Sequence, residues 1–110
     1  MTTGELTNKL MIEITRQFPA RVRRRNVGAM PVDDRFIRIG HPGEADITGI
    51  IKPGIVLEVE VKNGRDRLTK PQESFLSMIR EYGGIAIVAR DVDGAIAEIR
   101  TELAARGVSV

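Results

Sequence analysis

The sequence predicts an α/β fold in which a mixed central sheet is flanked by helices. Three features indicate this class. Apolar residues recur at every fourth position within residues 3–18, which is the spacing of a helix that buries one face. Within residues 55–62, apolar and charged side chains alternate from Leu57 to Lys62, as in a strand whose two faces differ. Residues 85–89 are all apolar, which is typical of a strand covered on both faces.

The elements are predicted in the order helix, three strands, helix, strand, helix. Pro19 ends the first helix after Phe18. Residues 21–26 are expected to form the first strand and residues 28–34 a turn region. The extended pieces that follow are 35–39, 45–49 and the long strand 55–62.

Capping residues locate the later helices. Thr69 is predicted to be the N-cap of the second helix, with Gln72 at the capping-box position. Gly83-Gly84 is expected to stop that helix before the apolar strand. Either Asp91 or Asp93 is expected to cap the last helix.

Length and composition limit the class of protein. The chain has 110 residues, so residues 1–110 are expected to form a single domain with one modest core. Cysteine is absent, which excludes disulfides and thiolate metal sites. No apolar run reaches the length of a membrane span, and residues 1–8 lack the layout of a signal peptide. We therefore expect a cytoplasmic protein that has no membrane partner.

Basic residues crowd two short stretches, although the net charge is only +2. Either stretch, 16–25 or 62–70, could neutralise the phosphates of a nucleic acid, and a solvated surface is the competing interpretation. Aromatic residues are only 4% of the chain, so contacts with the nucleic-acid backbone should dominate over base stacking. The candidate DNA contacts are Arg23, Arg25, Arg65, Arg67 and Lys70.

The strongest chemical signal is the charged face of the strand 55–62, which carries Glu58, Glu60 and Lys62. A ladder of opposite charges on a half-exposed strand is the competing explanation. The helix and the apolar strand that follow predict that this strand lies inside the sheet. Asp46 lies one turn upstream, so a hairpin would bring its carboxylate beside Glu60, unless Asp46 only bonds its own turn.

Converging carboxylates repel each other and require a cation. Because Asp46 and Glu60 offer hard oxygen ligands, Mg²⁺ is expected, with Mn²⁺ as a substitute, and no organic cofactor. Lys62 lies on the same face as Glu60 and adds a positive charge beside the cation. This combination suits phosphodiester hydrolysis, in which the lysine orients water or stabilises charge on the phosphoryl oxygens.

Three further residues are open to two interpretations. Glu13 lies in the apolar arc of the first helix, so we expect its carboxylate to meet a charge at the site. Glu58 is expected to pair with an arginine such as Arg23, although it could approach the edge of the site. His41 is expected to be a loop residue and not a ligand.

Several motifs occur in a fixed order along the chain. They are Arg25-Asn26-Val27-Gly28, Gly43-Glu44-Ala45-Asp46-Ile47, Glu60-Val61-Lys62-Asn63-Gly64-Arg65, Lys70-Pro71-Gln72 and Tyr82-Gly83-Gly84. Together they resemble the VRR-NUC branch of the PD-(D/E)XK nuclease superfamily, over residues 5–100. One departure is Ala45, which stands where the family has a proline before the aspartate.

The resemblance implies a restriction-endonuclease-like αβββαβ core. It implies that the metal is bound by Asp46, Glu60 and the backbone carbonyl of Val61, and that Lys62 is catalytic. Glu13 would take a metal-linked or water-mediated outer position. Gln72 would support the site from its helix, although a capping box with Thr69 explains it equally well.

Compact members of this branch resemble phage or bacterial proteins that act on branched DNA. The resemblance therefore implies a homodimer that cuts substrates such as four-way (Holliday) junctions, in a bacterial cell or a phage-infected host.

The sequence is compatible with two functions. The leading one is a Mg²⁺-dependent, structure-selective endodeoxyribonuclease, and the alternative is a non-catalytic nucleic-acid-binding module that retains the fold. The acidic and lysine residues favour the first, because a binder gains nothing from carboxylates that face phosphate without a metal.

Overall fold

The computed structural model describes residues 1–25, 28–32, 35–39 and 43–109, and of 28–32 and 35–39 it describes the backbone. The elements in chain order are α1 (Thr3–Gln17), β1 (Ala20–Arg24), β2 (Gly28–Val32), β3 (Arg35–Ile39), β4 (Ile47–Ile51), β5 (Ile55–Val61), α2 (Lys70–Glu81), β6 (Ile85–Ala89) and α3 (Val92–Ala105).

The main sheet has four strands in the order β1-β4-β5-β6. β4 is antiparallel to both β1 and β5, whereas β6 is parallel to β5. A parallel neighbour requires a crossover, and α2 supplies it. The prediction of a mixed α/β sheet with an αβββαβ core is confirmed, and β5 lies inside the sheet as expected.

The segment 28–32 is a strand, so the predicted turn region was wrong there. β2 pairs antiparallel with β3 as a separate two-stranded sheet, with Gly28 opposite Ile39 and Pro31 opposite Phe36. Gly28 and Pro31 are the residues that suggested a turn. In a two-stranded ribbon both strands are edges, so a proline is tolerated where its missing N–H faces away from the partner. The ribbon is inserted between β1 and β4 and leaves the order of the core elements intact.

The larger core lies between one face of the sheet and the helices α1 and α3. Leu57 and Val59 of β5 are fully buried there. They belong to one cluster with the predicted apolar stripe of α1, which is Leu6, Leu10, Ile14 and Phe18. Because side chains alternate along a strand, Glu58 and Glu60 lie on the opposite face, toward α2.

A smaller core packs α2 against that opposite face. Leu76 of α2 and Ala86 of β6 are buried in it together with Ala45, and Phe75 and Ile79 pack against them. Ala45 directly precedes Asp46, so this core also anchors the segment that carries the predicted metal ligand.

The predicted helix caps are confirmed and fix where the helices begin. The Thr69 hydroxyl accepts a hydrogen bond from the Gln72 backbone N–H, and the Gln72 side chain accepts one from the Thr69 N–H. Of the two candidates for α3, Asp91 is the cap, because its Oδ1 accepts from the Gly94 N–H. Within the described ranges, no helix combines the length and the apolar character that crossing a membrane requires.

Candidate metal centre

The candidate site lies where β4 and the two helices α1 and α2 begin and where β5 ends. The β4–β5 register, with Ile47 opposite Val59, brings the adjacent residues Asp46 and Glu60 to the same end of the hairpin. Side chains from five segments line one cavity at this point. The lining residues are Thr3, Gly4, Thr7, Arg24, Arg25, Asp46, Glu60, Val61, Lys62 and Gln72.

Asp46 is held by the backbone on both sides. Its Oδ2 accepts a hydrogen bond of 2.9 Å from the Val61 N–H at the end of β5. Its carbonyl oxygen accepts one of 2.8 Å from the Arg25 N–H. The Asp46 carboxylate is therefore fixed against the neighbouring strand, as the predicted hairpin requires.

Glu60 is buried, with only 3% of its surface exposed. Its Oε2 accepts a 2.7 Å hydrogen bond from Gln72 Nε2 and lies 3.7 Å from Lys62 Nζ. Its Oε1 is buried and has no hydrogen-bond partner among the described residues. A buried carboxylate oxygen without a donor is costly, so this atom is a candidate ligand for a cation.

The electrostatics of the pair agree with that geometry. Burial, and next the negative charge of Asp46, raise the pKa of Glu60 from its ordinary value of 4.5 to about 7. The charge of Lys62 acts in the opposite direction. A proton between the two carboxyl groups relieves their repulsion, and a divalent cation would do the same.

The donor atoms fit a hard divalent cation. Asp46 and Glu60 supply carboxylate oxygens, and Val61, whose carbonyl was predicted as a ligand, lines the same cavity. In the part of the chain that the structure describes, no group of three His, Cys, Asp or Glu residues is placed to hold a metal. The remaining coordination positions would therefore fall to backbone, water or phosphate oxygens, which is the usual situation for Mg²⁺.

Gln72 performs both of the roles that its sequence position suggested. Its Oε1 accepts from the Thr69 N–H at 2.9 Å as part of the capping box. Its Nε2 simultaneously donates to Glu60. Because different atoms of one amide serve the two contacts, the start of α2 fixes the orientation of the Glu60 carboxylate.

Glu13 is placed away from the cavity. Its two carboxylate oxygens accept 2.9 Å hydrogen bonds from Arg16 and Gln17, which follow it on the same helix. α1 reaches the cavity with its first turns, and Glu13 lies about 9 Å further along the helix axis than Thr7. We expected Glu13 to reach the site, but the structure does not bring it together with Asp46 and Glu60.

Glu58 pairs with Arg25 and not with Arg23. Arg25 Nη1 lies 2.5 Å from Glu58 Oε1, and the Thr48 hydroxyl donates to the other oxygen. Arg23 lies opposite Thr48 in the sheet, and Thr48 lies opposite Glu58, so the threonine stands between them. Both carboxylate oxygens of Glu58 have partners, so the alternative position of Glu58 at the edge of the metal site is not supported.

Arg25 has a positioning role that the sequence did not indicate. Its guanidinium also contacts Glu44 Oε2 at 3.2 Å and the Ala45 carbonyl at 3.3 Å, and it lies over the Phe75 ring. These contacts hold the segment 44–46, which carries Asp46, a predicted metal ligand. The arginine is therefore largely neutralised and is poorly suited to the phosphate contact predicted for it.

The other predicted DNA contacts, Arg23, Arg65, Arg67 and Lys70, are exposed and lie outside the cavity lining. His41 and the Asn26-Val27 part of one motif lie outside the described residues.

A scan against protein-family models and a search of curated proteins both gave no match.

The Glu60 carboxyl group predicts a pH dependence of stability. Because its pKa is raised from 4.5 to about 7, the protonated form favours the folded state. This contribution is fully present below pH 4.5 and is lost as the pH rises through about 7. In chelator, we expect the melting temperature of the wild type to fall across this window relative to that of Glu60→Gln, as followed by circular dichroism. Parallel curves for the two proteins would contradict the assignment.

The Glu58–Arg25 pair predicts a large loss of stability on truncation. The side chains of Glu58 and Arg25 are 2% and 15% exposed, so Glu58→Ala leaves a mostly buried arginine without its closest partner and should cost about 3 kcal/mol. The matched control is Glu102→Ala, which removes an ion pair with Arg106 whose glutamate is 46% exposed. That change should cost no more than about 0.5 kcal/mol in urea unfolding. Equal losses would show that the network does not hold the segment 44–46.

Proposed function

We propose that this chain is a Mg²⁺-dependent endodeoxyribonuclease that hydrolyses phosphodiester bonds. The observation that carries the proposal is the unpartnered Glu60 Oε1, buried beside Asp46 in a cavity that also contains Lys62. A structural carboxylate pair would be expected to have all its oxygens satisfied. Here one acceptor faces a cavity whose other groups suit phosphate chemistry.

The cation would polarise the phosphate and lower the pKa of a water molecule. The residues of the chain provide the remaining requirements. Gln72 orients Glu60, and the contacts of Arg25 orient Asp46. Lys62, with its ammonium 3.7 Å from Glu60, can stabilise the negative charge that develops on the phosphoryl oxygens as water attacks phosphorus and the P–O ester bond breaks.

Nucleic acid as the substrate is supported by the charges next to the cavity. The loop that follows Lys62 carries Arg65 and Arg67 and ends at Lys70, and all three are exposed. A phosphate backbone that enters the cavity would pass this loop, where basic side chains neutralise its charge.

Selectivity for branched DNA and a homodimeric state complete the proposal, together with a cytoplasmic location. They are supported by the motifs that resemble the VRR-NUC branch. A small domain covers a short stretch of DNA, and paired cuts across a junction require two active sites. A symmetric dimer satisfies that requirement.

A second candidate function is a nucleic-acid-binding module without catalysis. It is favoured by one observation, which is that Glu13 does not join the two carboxylates of the site and no third acidic group among the described residues replaces it. The two candidates differ in whether DNA is cut when Mg²⁺ is present.

We predict that the wild type cleaves DNA with Mg²⁺ or Mn²⁺ and that a chelator stops the reaction. Asp46→Asn and Lys62→Ala should each lower the cleavage rate by at least ~100-fold, because each removes charge that acts in the transition state. The matched control is Lys9→Ala, which removes an exposed lysine on α1 outside the cavity. An active Lys62→Ala protein would contradict the mechanism, and a wild type that binds DNA without cutting it would favour the second candidate.

Selectivity is checked with a panel of four-way junction, flap, single-stranded and duplex DNA, with and without Mg²⁺. We expect the junction to be cut fastest, by a protein whose light-scattering mass is that of a dimer. Equal rates on all substrates would remove the branched-DNA proposal. A monomeric mass in protein that still resolves junctions would remove the dimer.

A further inference from the structure

We propose that Arg24 and the first turn of α1 form a phosphate-binding cradle in the cavity that Asp46 and Glu60 also line. This inference rests on the proposed nuclease function and names the groups that would receive the DNA phosphate. Arg24 was not among the candidate DNA contacts.

The first turn of α1 opens into the cavity. Thr3 and Gly4 line it, together with Asp46 and Glu60. The Thr2 hydroxyl caps the N–H of Glu5, and the Thr2 carbonyl accepts from Leu6. No described residue accepts from the N–H groups of Thr3 and Gly4. These groups are free donors at the positive end of a 15-residue helix, where anions bind.

Gly4 leaves that end of the helix accessible. The closest atom to a Cβ built at this position would be the Thr2 hydroxyl oxygen, at 3.8 Å. The Glu5 carboxylate, which is the acidic group of this turn, accepts a hydrogen bond from the Thr2 hydroxyl.

Arg24 brings a full positive charge to the same cavity. One nitrogen, Nη2, donates to the Asn8 side chain at 2.8 Å and to the Gly4 carbonyl at 3.3 Å. Its neighbour Arg25 is paired with two carboxylates, whereas no carboxylate among the described residues pairs with Arg24. The remaining guanidinium N–H groups are held in a fixed orientation and suit a phosphate oxygen pair.

Glu60 supplies the independent sign that a ligand belongs in this cavity. Its unpartnered Oε1 is an acceptor with no donor, on a side chain that is 4% exposed. The cavity lining thus combines acceptors from the β4–β5 hairpin with donors from α1 and β1. A phosphate with its associated cation satisfies both sets of groups at once, whereas either ion alone satisfies one set.

The experiment measures DNA affinity, not cleavage. Binding of a labelled duplex and a labelled four-way junction is followed by fluorescence anisotropy in Ca²⁺, over a series of salt concentrations. Arg24→Gln should weaken binding by about tenfold and lower the slope of log affinity against log salt by about one. The matched control is Lys9→Gln, which removes an exposed positive charge of α1 outside the cavity lining. It should retain the affinity and slope of the wild type.

A second variant tests the helix end and remains informative if Arg24→Gln does not fold. Gly4→Asp places a negative charge in the first turn of α1, which favours the helix dipole and should preserve or raise the melting temperature. It should nevertheless weaken DNA binding, because the charge repels phosphate. If Gly4 had a purely structural role, a variant with an equal or higher melting temperature would not be expected to bind DNA more weakly.

The inference is overturned if Arg24→Gln keeps the salt slope of the wild type, or if Lys9→Gln loses as much affinity as Arg24→Gln. Either result, in wild-type protein that binds and cleaves DNA, leaves the proposed nuclease function standing. A wild type that neither binds nor cleaves DNA removes both.

Discussion

Repulsion between the carboxylates of Asp46 and Glu60 is the interaction on which the site depends. Both carboxylates line one cavity at the end of the β4–β5 hairpin, and burial of Glu60 limits the screening of its charge by water. Lys62 and Gln72 compensate one oxygen of Glu60, but the other has no partner in the described part of the chain. The raised pKa of Glu60 reflects the same incompletely compensated negative charge.

Comparison with Glu58 shows that burial alone does not make a functional carboxylate. Glu58 and Glu60 lie on the same face of the same strand, and both are almost completely buried. Glu58 has a partner for each oxygen, in Arg25 and Thr48, and so contributes to structure. Its network holds the segment that carries Asp46. Glu58 therefore positions the candidate site, whereas Glu60 is part of it.

The elements that the sequence predicted well are those governed by local rules. The alternation in β5, the capping box at Thr69 and the apolar run of β6 depend on neighbouring residues alone, and all three were confirmed. The pairing of Asp46 with Glu60 was also accessible, because a short hairpin leaves few registers. The strand at 28–32 was missed because Gly28 and Pro31 suggest a turn, and a two-stranded ribbon tolerates both.

The positions of some side chains were predicted wrongly because they depend on distances between elements. A sequence pattern does not contain these distances. A helical wheel gives the angle of Glu13 but not its distance along α1 from the turn that reaches the cavity. The choice between Arg23 and Arg25 as the partner of Glu58 depends on the β1–β4 register. Arg24 alternates with Arg23 and Arg25 along the strand. The packing of α1 against β1 brings it to the cavity.

Calorimetric titration with Mn²⁺ and Mg²⁺ measures whether Asp46 and Glu60 together bind a divalent cation. We expect binding to the wild type that is lost in Asp46→Asn and in Glu60→Gln and kept in Glu102→Gln. A Glu60→Gln protein that binds the cation as tightly as the wild type would contradict this expectation.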